Sequence, residues 1–236
     1  MLLQAALNGG LTKETHPATP VSAEELAKDA CACVSAGAEA IHVHPRDFEG
    51  RQRLEPELVD KVVVRVREAC QAPVGVSTGA WIEPDIQRRI DLVAAWRAPD
   101  YASVNLSEPG ATEVMKALIG AGVGVEAGIW TIEDAERLAA SGLSEQVTRI
   151  LVEVQPVDRA AAVEEANAIH GALDALGMAA PRLQHGHGDA AWVVLRDAIR
   201  RGVDTRIGLE DTVKEPTGRM TTGNEALVRV ARTLGA

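Results

Sequence analysis

The sequence predicts an α/β fold, a single-domain (β/α)8 barrel, from three observations. Strand-period and helix-period runs alternate along all 236 residues, giving eight β-α units. Every strand run ends in polar residues at its C-terminal side, where such a barrel keeps its active site, while the strand starts read as apolar. No Pro/Ser-rich linker, low-complexity tract or shift in composition separates a second unit, so residues 1–236 read as one catalytic barrel. Alternation alone also suits an open doubly wound sheet, because it does not dictate closure.

The first unit has a strand over 2–7 and a helix over 23–36. Between them lie the glycine turn Asn8-Gly9-Gly10 and Ser22, set three residues before Glu25 as in a capping box. The second strand, 40–44, is β-branched and ends in His42-x-His44 before Pro45 stops ladder pairing, and its helix covers 57–70. Units three and four pair strands 74–77 and 101–106 with helices 85–96 and 111–121. Unit five has strand 123–127 and helix 132–141, entered through Thr131, and unit six has strand 149–154 and helix 159–177. Units seven and eight pair strands 182–185 and 205–210 with helices 190–201 and 223–234. Gly37, Gly122, Gly142, Gly177 and Gly202 stand just past helix ends, the usual place of a left-handed cap.

Composition narrows the function. Aromatic residues are only 3% of the chain, so the core is built from Ala, Val, Leu and Ile. A formal net charge of −10 without a Lys/Arg run argues against nucleic acid and anionic membrane as partners. No apolar stretch approaches the roughly 20 residues of a membrane span. The N-terminus lacks a signal-peptide pattern, which points to the cytoplasm. Three cysteines make no disulfide framework, and Cys31 and Cys33 read as small apolar side chains in a reducing compartment. His16 and His170 read as surface residues.

The strand ends carry the chemistry. Side chains two apart on a strand share a face, so His42 and His44 converge, and imidazole is the commonest metal ligand. By the same parity Arg206, Gly208 and Glu210 share a face at the end of strand eight, with Gly208 leaving room in the interior. Strand eight lies two strands from strand two in a closed barrel, so Glu210 completes a His-His-carboxylate set with an open position for substrate or water. Asp211 sits at the lip as a candidate general base. His185-x-His187 on strand seven is a competing pair for the metal; Gly186 and Gly188 suggest a tight loop rather than a rigid ligand platform, so the pair reads as backing the ligands or facing substrate, with metal binding the open alternative. The other ends are Ser77-Thr78-Gly79, Asn105-Leu106-Ser107-Glu108, Glu126-Ala127-Gly128 and Glu153-Val154-Gln155-Pro156. Trp81 and Trp130 follow strand ends three and five and either wall a pocket or pack between helices.

These residues resemble the β-keto acid cleavage enzyme family. The motifs that carry the resemblance run in order: Asn8-Gly9-Gly10, Pro20 to Glu25, Ala36-Gly37-Ala38, His42-x-His44-x-Arg46-Asp47, Ser77-Thr78-Gly79, Asn105-Leu106, Glu126-Ala127-Gly128, His185-Gly186 and Arg206 to Asp211. The family's best-described members are similar to 3-keto-5-aminohexanoate cleavage enzyme. The resemblance implies a zinc-dependent, homo-oligomeric barrel (dimer or tetramer) in which a β-keto acid and acetyl-CoA give acetoacetate and the remaining acyl-CoA by Claisen and retro-Claisen steps. It implies His42, His44 and Glu210 as Zn²⁺ ligands, and Arg206, Asp211 and Glu126 as catalytic residues. It places Asn8, Ser77, Thr78, Asn105, Ser107 and His185 around the substrate. Members acting on the amino-substituted keto acid carry an acid after the first-strand glycine turn, where this chain has Leu11, Thr12 and Lys13. That departure points to a neutral or anionic keto acid. The chain is also shorter than many relatives, which implies trimmed loops around a CoA channel.

Three rival readings remain. A metallohydrolase would use a zinc-bound water with Asp211 as base, but relatives of that kind place His-x-His on strand one. A metal-dependent lyase would use His185 and His187 with a first-strand acid, which is missing. A ligand-binding barrel without turnover would need none of this chemistry.

Overall fold

A computed structural model describes residues 1–155 and 158–236; Pro156, read above as part of a strand end, lies outside them. Eight parallel strands close in chain order from β1 to β8, with β8 pairing back onto β1. The strands are β1 (Leu3–Ala6), β2 (Ala40–Val43), β3 (Val74–Ser77), β4 (Tyr101–Asn105), β5 (Gly124–Ile129), β6 (Arg149–Val154), β7 (Arg182–Gly186) and β8 (Asp204–Ile207). The helices are α1 (Ala23–Ser35), α2 (Pro56–Cys70), α3 (Ile86–Ala94), α4 (Ala111–Ala121), α5 (Ile132–Ser141), α6 (Arg159–Ala175), α7 (Ala191–Arg201) and α8 (Asn224–Thr233). No described helix is long and apolar enough to cross a membrane.

Local chemistry starts and stops the helices. Ser22 accepts from the Glu25 N–H while the Glu25 carboxylate takes the Ser22 N–H, closing a capping box at α1. Thr131 and Asp134 do the same for α5. Asp85 caps α3, and Pro56 opens α2, where a missing N–H costs nothing. At α4 and α7 the chain leaves through Gly122 (φ 78°) and Gly202 (φ 71°), a left-handed exit that a β-carbon would strain.

The core lies between barrel and helices, where Val, Ile, Leu and Ala are almost wholly buried. The barrel's lower interior is polar. Gln4 donates its amide to the Tyr101 hydroxyl (3.1 Å) and to Glu126 Oε1 (2.9 Å), Tyr101 donates to the Ile41 carbonyl (2.7 Å), and Arg149 Nε lies 3.3 Å from Glu126. The Tyr101 ring needs Gly75 opposite, since a β-carbon there would come within 1.9 Å of it.

Several expectations are corrected. Strand starts are not uniformly apolar: Arg149, Arg182 and Asp204 open β6, β7 and β8, and Arg149 is paired with the interior acid Glu126. His16 and His170 are buried, because each has a polar partner inside: His16 Nε2 bonds the Thr221 carbonyl at 3.1 Å and His170 Nε2 bonds Gln184 Oε1 at 2.7 Å. Cys31 is exposed, whereas Cys33 and Cys70 pack in the core. Strand β8 ends at Ile207, so Glu210 stands on a turn and strand parity does not apply to it. Gly208 is required for a different reason from the one expected: a β-carbon there would lie 1.8 Å from the Ala6 carbonyl oxygen, so it lets β8 press on β1.

Candidate functional site

The C-terminal mouth opens into a cavity of about 220 Å³. Gly9, Gly10, His42, His44, Arg206 and Glu210 form one wall, from β1, β2 and β8. Ser77, Trp81, Ser103 and Asn105 form the β3–β4 side, and Trp130, Leu151, Glu153 and His187 close it from β5, β6 and β7.

The turn after β8 carries Glu210 across the end of β1, its N–H donating to the Ala6 carbonyl (3.3 Å). Gly9 makes this crossing possible. It has φ 45°, and a β-carbon would sit 2.5 Å from the Glu210 side chain. The two imidazole Nε2 atoms lie 3.2 Å apart, and Glu210 Oε2 stands 3.8 Å from His42 and 3.5 Å from His44. Burial pushes the His42 pKa down to about 3 against the pull of Glu210, so it is a neutral donor. Burial alone would raise Glu210, but Arg206 and the two histidines outweigh it and hold the carboxylate well below its usual range.

Asn8 staples this corner together. Its amide donates to the carbonyls of Pro20 (3.2 Å) and His44 (3.0 Å), and its oxygen accepts the His44 N–H (2.9 Å). Arg46 holds the glycine turn through the carbonyls of Gly9 (2.8 Å) and Leu11 (2.7 Å). Asp47 accepts from Arg51 and Arg53 and so shapes the loop after β2. The Arg46-Asp47 half of the strand-two motif is therefore scaffolding.

Arg206 joins the two acids of the turn after β8, donating to Glu210 Oε1 (2.9 Å) and twice to Asp211 Oδ1 (2.8 and 3.1 Å). Among the described residues, the buried Glu210 Oε2 and Asp211 Oδ2 have no hydrogen-bond partner. Asp211 is not at the lip; it is 2% exposed and sits behind the lining, because the turn after Gly208 folds it toward β7. Burial raises its pKa, yet Arg206 and His185 bring the net shift below the ordinary value.

On the opposite wall His187 Nε2 bonds Glu153 Oε1 at 2.9 Å, and His185 lies 3.7 Å from the other Glu153 oxygen and 3.4 Å from Asp211 Oδ1. Burial would lower His187, but Glu153 and Asp211 prevail and raise its pKa. Burial would raise Glu153, but His187 and His185 pull it down to about 2. Among the described residues two groups gather three metal-type donors within 4.8 Å of one another: His42, His44 and Glu210, and His185, His187 and Asp211.

Of the residues singled out from sequence, His42, His44, Ser77, Asn105, Arg206 and Glu210 line the cavity, as do both tryptophans Trp81 and Trp130. Others lie outside the lining. Thr78 donates to the Ser103 carbonyl (2.8 Å), Ser107 donates to the α5 capping acid Asp134 (2.6 Å), and His185 is buried beneath the pocket. Glu126 lies under the floor with Gln4 and Arg149 and does not line this cavity. Ser103 was missed, although it stands two before Asn105 on β4 and so shares its face. Gln52 was missed too, since nothing local marks a loop glutamine as a partner of His44.

The chain matches the family described as beta-keto acid cleavage enzyme over residues 1–236. It is similar to the 3-keto-5-aminohexanoate cleavage enzyme of Fusobacterium nucleatum subsp. nucleatum, 37% identical over 71 residues, covering 30% of this chain and 26% of that protein. The enzyme of the same name from Acetoanaerobium sticklandii is 31% identical over 107 residues, covering 44% of this chain and 38% of that protein. In fold the chain resembles ObcA, solved in apo form (TM-score 0.73, 16% identity, 92% of this chain and 61% of that one). A second ObcA structure, described as a ternary complex with a C4-CoA adduct and oxalate, has TM-score 0.71 at 16% identity and covers 92% and 63%. The chain thus spans about three-fifths of the ObcA chains, and its aligned stretches cover less than half of the curated relatives. The family match runs the whole length of a closed barrel whose mouth gathers His42, His44, Arg206 and Glu210 from opposite ends of the sequence, and this chain belongs to the β-keto acid cleavage enzyme family.

Proposed function

We propose that the chain is a zinc-dependent acyltransferase that converts a β-keto acid and acetyl-CoA into acetoacetate and the acyl-CoA of the remaining fragment. The observation that carries this reading is the convergence of His42, His44 and Glu210. In a tetrahedral site with ligands at about 2.0–2.1 Å, neighbouring donors stand about 3.3–3.4 Å apart. The separations here are 3.2, 3.5 and 3.8 Å, and Glu210 Oε2, the oxygen facing both imidazoles, has no other partner among the described residues. The rival group fits less well. Its shared oxygen, Asp211 Oδ1, already accepts two guanidinium bonds, so a cation there would press against Arg206.

Bound zinc supplies Lewis acidity, polarising the carbonyl oxygens of the reactants. The protein's own residues do the rest. Arg206, lining the pocket and kept cationic by its two acids, receives the substrate carboxylate. Asp211 is the final acceptor of the C2 proton but sits behind the lining with Oδ1 held by Arg206, so the guanidinium relays the proton, giving an N–H proton to Asp211 as it takes one from C2, and the pair later returns it. Ser77, Ser103 and Asn105 offer neutral hydrogen-bonding groups along the β3–β4 wall. Glu126 acts from beneath as a buried carboxyl, its pKa raised by burial to about 7, that feels Arg206. The C2–acetyl bond forms as the acetyl–sulfur bond of acetyl-CoA breaks, the released thiolate adds to the former ketone carbon, and the bond from that carbon to C2 breaks to give acetoacetate and the new acyl-CoA. The CoA adduct in ObcA, whose barrel is alike in fold, is consistent with a thioester partner.

The substrate's far end is neutral or anionic in this reading. The first-strand turn contributes only Gly9 and Gly10 to the lining, and the acid on the other wall, Glu153, is engaged by His187.

The test combines metal analysis with turnover. The purified protein should carry zinc and form acetoacetate from acetyl-CoA and a panel of β-keto acids, with neutral members outpacing the amino-substituted one. His42→Ala should lose the metal while His185→Ala keeps it. The reverse pattern overturns the centre, turnover without acetyl-CoA overturns the transferase in favour of a hydrolase or lyase, and preference for the amino-substituted acid overturns the substrate assignment.

A further inference from the structure

Gln52 lies in the loop between β2 and α2, where it bridges back to Arg46. Its amide oxygen accepts from His44 Nδ1 at 2.7 Å and from Trp81 Nε1 at 3.3 Å. Two donors converging on one atom settle which end of the amide is oxygen, since the reversed amide would set N–H groups against the indole N–H. An imidazole that donates from Nδ1 keeps its proton there and presents Nε2 as a lone pair. That Nε2 is the atom facing His42 at 3.2 Å and Glu210 at 3.5 Å. His42 differs: among the described residues its buried Nδ1 has no partner, and its only imidazole contact is through Nε2 to His44.

The second donor ties the pocket wall to the same atom. Trp81 is 57% exposed, yet its ring lies nearly parallel to His44 (19°, centroids 6.4 Å apart) and borders the cavity. Gly79 allows this posture, since a β-carbon there would come within 2.4 Å of the indole. The bond to Gln52 anchors this exposed ring at its nitrogen.

We propose that Gln52 is a positioning residue: its one amide oxygen sets His44 as the Nε2-donor tautomer and pins Trp81 at the pocket mouth, so metal affinity and the substrate wall depend on the same group. The proposal rests on the reading of His42, His44 and Glu210 as the metal centre. Partners of metal-bound histidines matter because they orient the ring and hold its proton on the far nitrogen.

The test measures Zn²⁺ affinity of the full chain by chelator competition, beside the His44 tautomer read by ¹⁵N imidazole NMR on metal-free protein. Gln52→Met, which keeps the length but removes the acceptor, should weaken zinc roughly 10–100-fold and leave His44 as a tautomer mixture. Gln52→Glu restores an acceptor oxygen and should return affinity to within about threefold of the parent with a single tautomer. Trp81→Phe leaves the His44 bond intact and should hold zinc within about threefold. Zinc affinity in Gln52→Met equal to the parent, together with loss of zinc in His42→Ala, overturns the role of Gln52 while sparing the centre. Zinc retained in His42→Ala overturns the centre itself. A loss in Trp81→Phe as deep as in Gln52→Met places the effect in the indole and overturns the assignment to the amide.

Discussion

Replacing Glu126 by Gln tests the ionisation of the buried carboxyl beneath the site. Glu126 is fully buried, accepts one bond from Gln4 (2.9 Å), lies 3.3 Å from Arg149 Nε, and among the described residues its Oε2 has no partner. Burial raises its pKa to about 7 from the ordinary 4.5, and Arg149, Arg206 and Gln4 offset only part of that. Between those values the folded state holds a proton that the unfolded chain has released, so stability falls as pH rises through the window. At about 1.4 kcal/mol per unit, ionising this one carboxyl costs about 3 kcal/mol of stability by the time pH exceeds 7. Glu126→Gln keeps an oxygen for Gln4 and cannot ionise. Urea denaturation of parent and variant from pH 4.5 to 8 should therefore show the variant gaining about 3 kcal/mol relative to the parent as pH rises. Groups that titrate alike in both proteins, such as Asp29 with its pKa raised by burial to about 6, cancel in the difference. A difference that stays constant within about 0.5 kcal/mol across the window would mean that Arg149 keeps the carboxyl ionised throughout, and would refute the reasoning.

Two other perturbations follow from close geometry. Gly208→Ala places a β-carbon 1.8 Å from the Ala6 carbonyl oxygen, so the β1–β8 seam must open; a destabilisation of about 3 kcal/mol or failure to fold is expected in denaturation experiments, and a change under about 1 kcal/mol would contradict it. Glu153→Gln removes the carboxylate that holds His187 at 2.9 Å, so the His187 pKa should fall below the parent's in an imidazole NMR titration; an unchanged value would mean that Glu153 does not set it.

Much of the fold was legible along the chain because its determinants are local. The eight strand and helix periods, the Ser22–Glu25 and Thr131–Asp134 boxes and the cap glycines act over a few residues, and the elements stand within about two residues of where the pattern places them. One strand misleads. Strand β8 reads as running to 210 but stops at Ile207, because Gly208 meets the Ala6 backbone and the chain turns. The buried histidines His16 and His170 were illegible for a related reason: what accommodates them are the Thr221 carbonyl and Gln184, distant in sequence.

The candidate site divides along the same line. The residue types that offer metal donors, and the spacing that turns His42 and His44 to one face, are properties of the sequence, since alternation along a strand is geometry of the backbone itself. Which carboxylate oxygen faces them, that Asp211 lies behind Arg206, that Asn8, Thr78 and Ser107 brace loops, and that Gln52 reaches His44 were settled only when the barrel closed. Closure brings β8 beside β1 and the loop after β2 beneath Trp81, and contacts between segments up to two hundred residues apart leave no periodic trace in the sequence, because each depends on the shape of both partners.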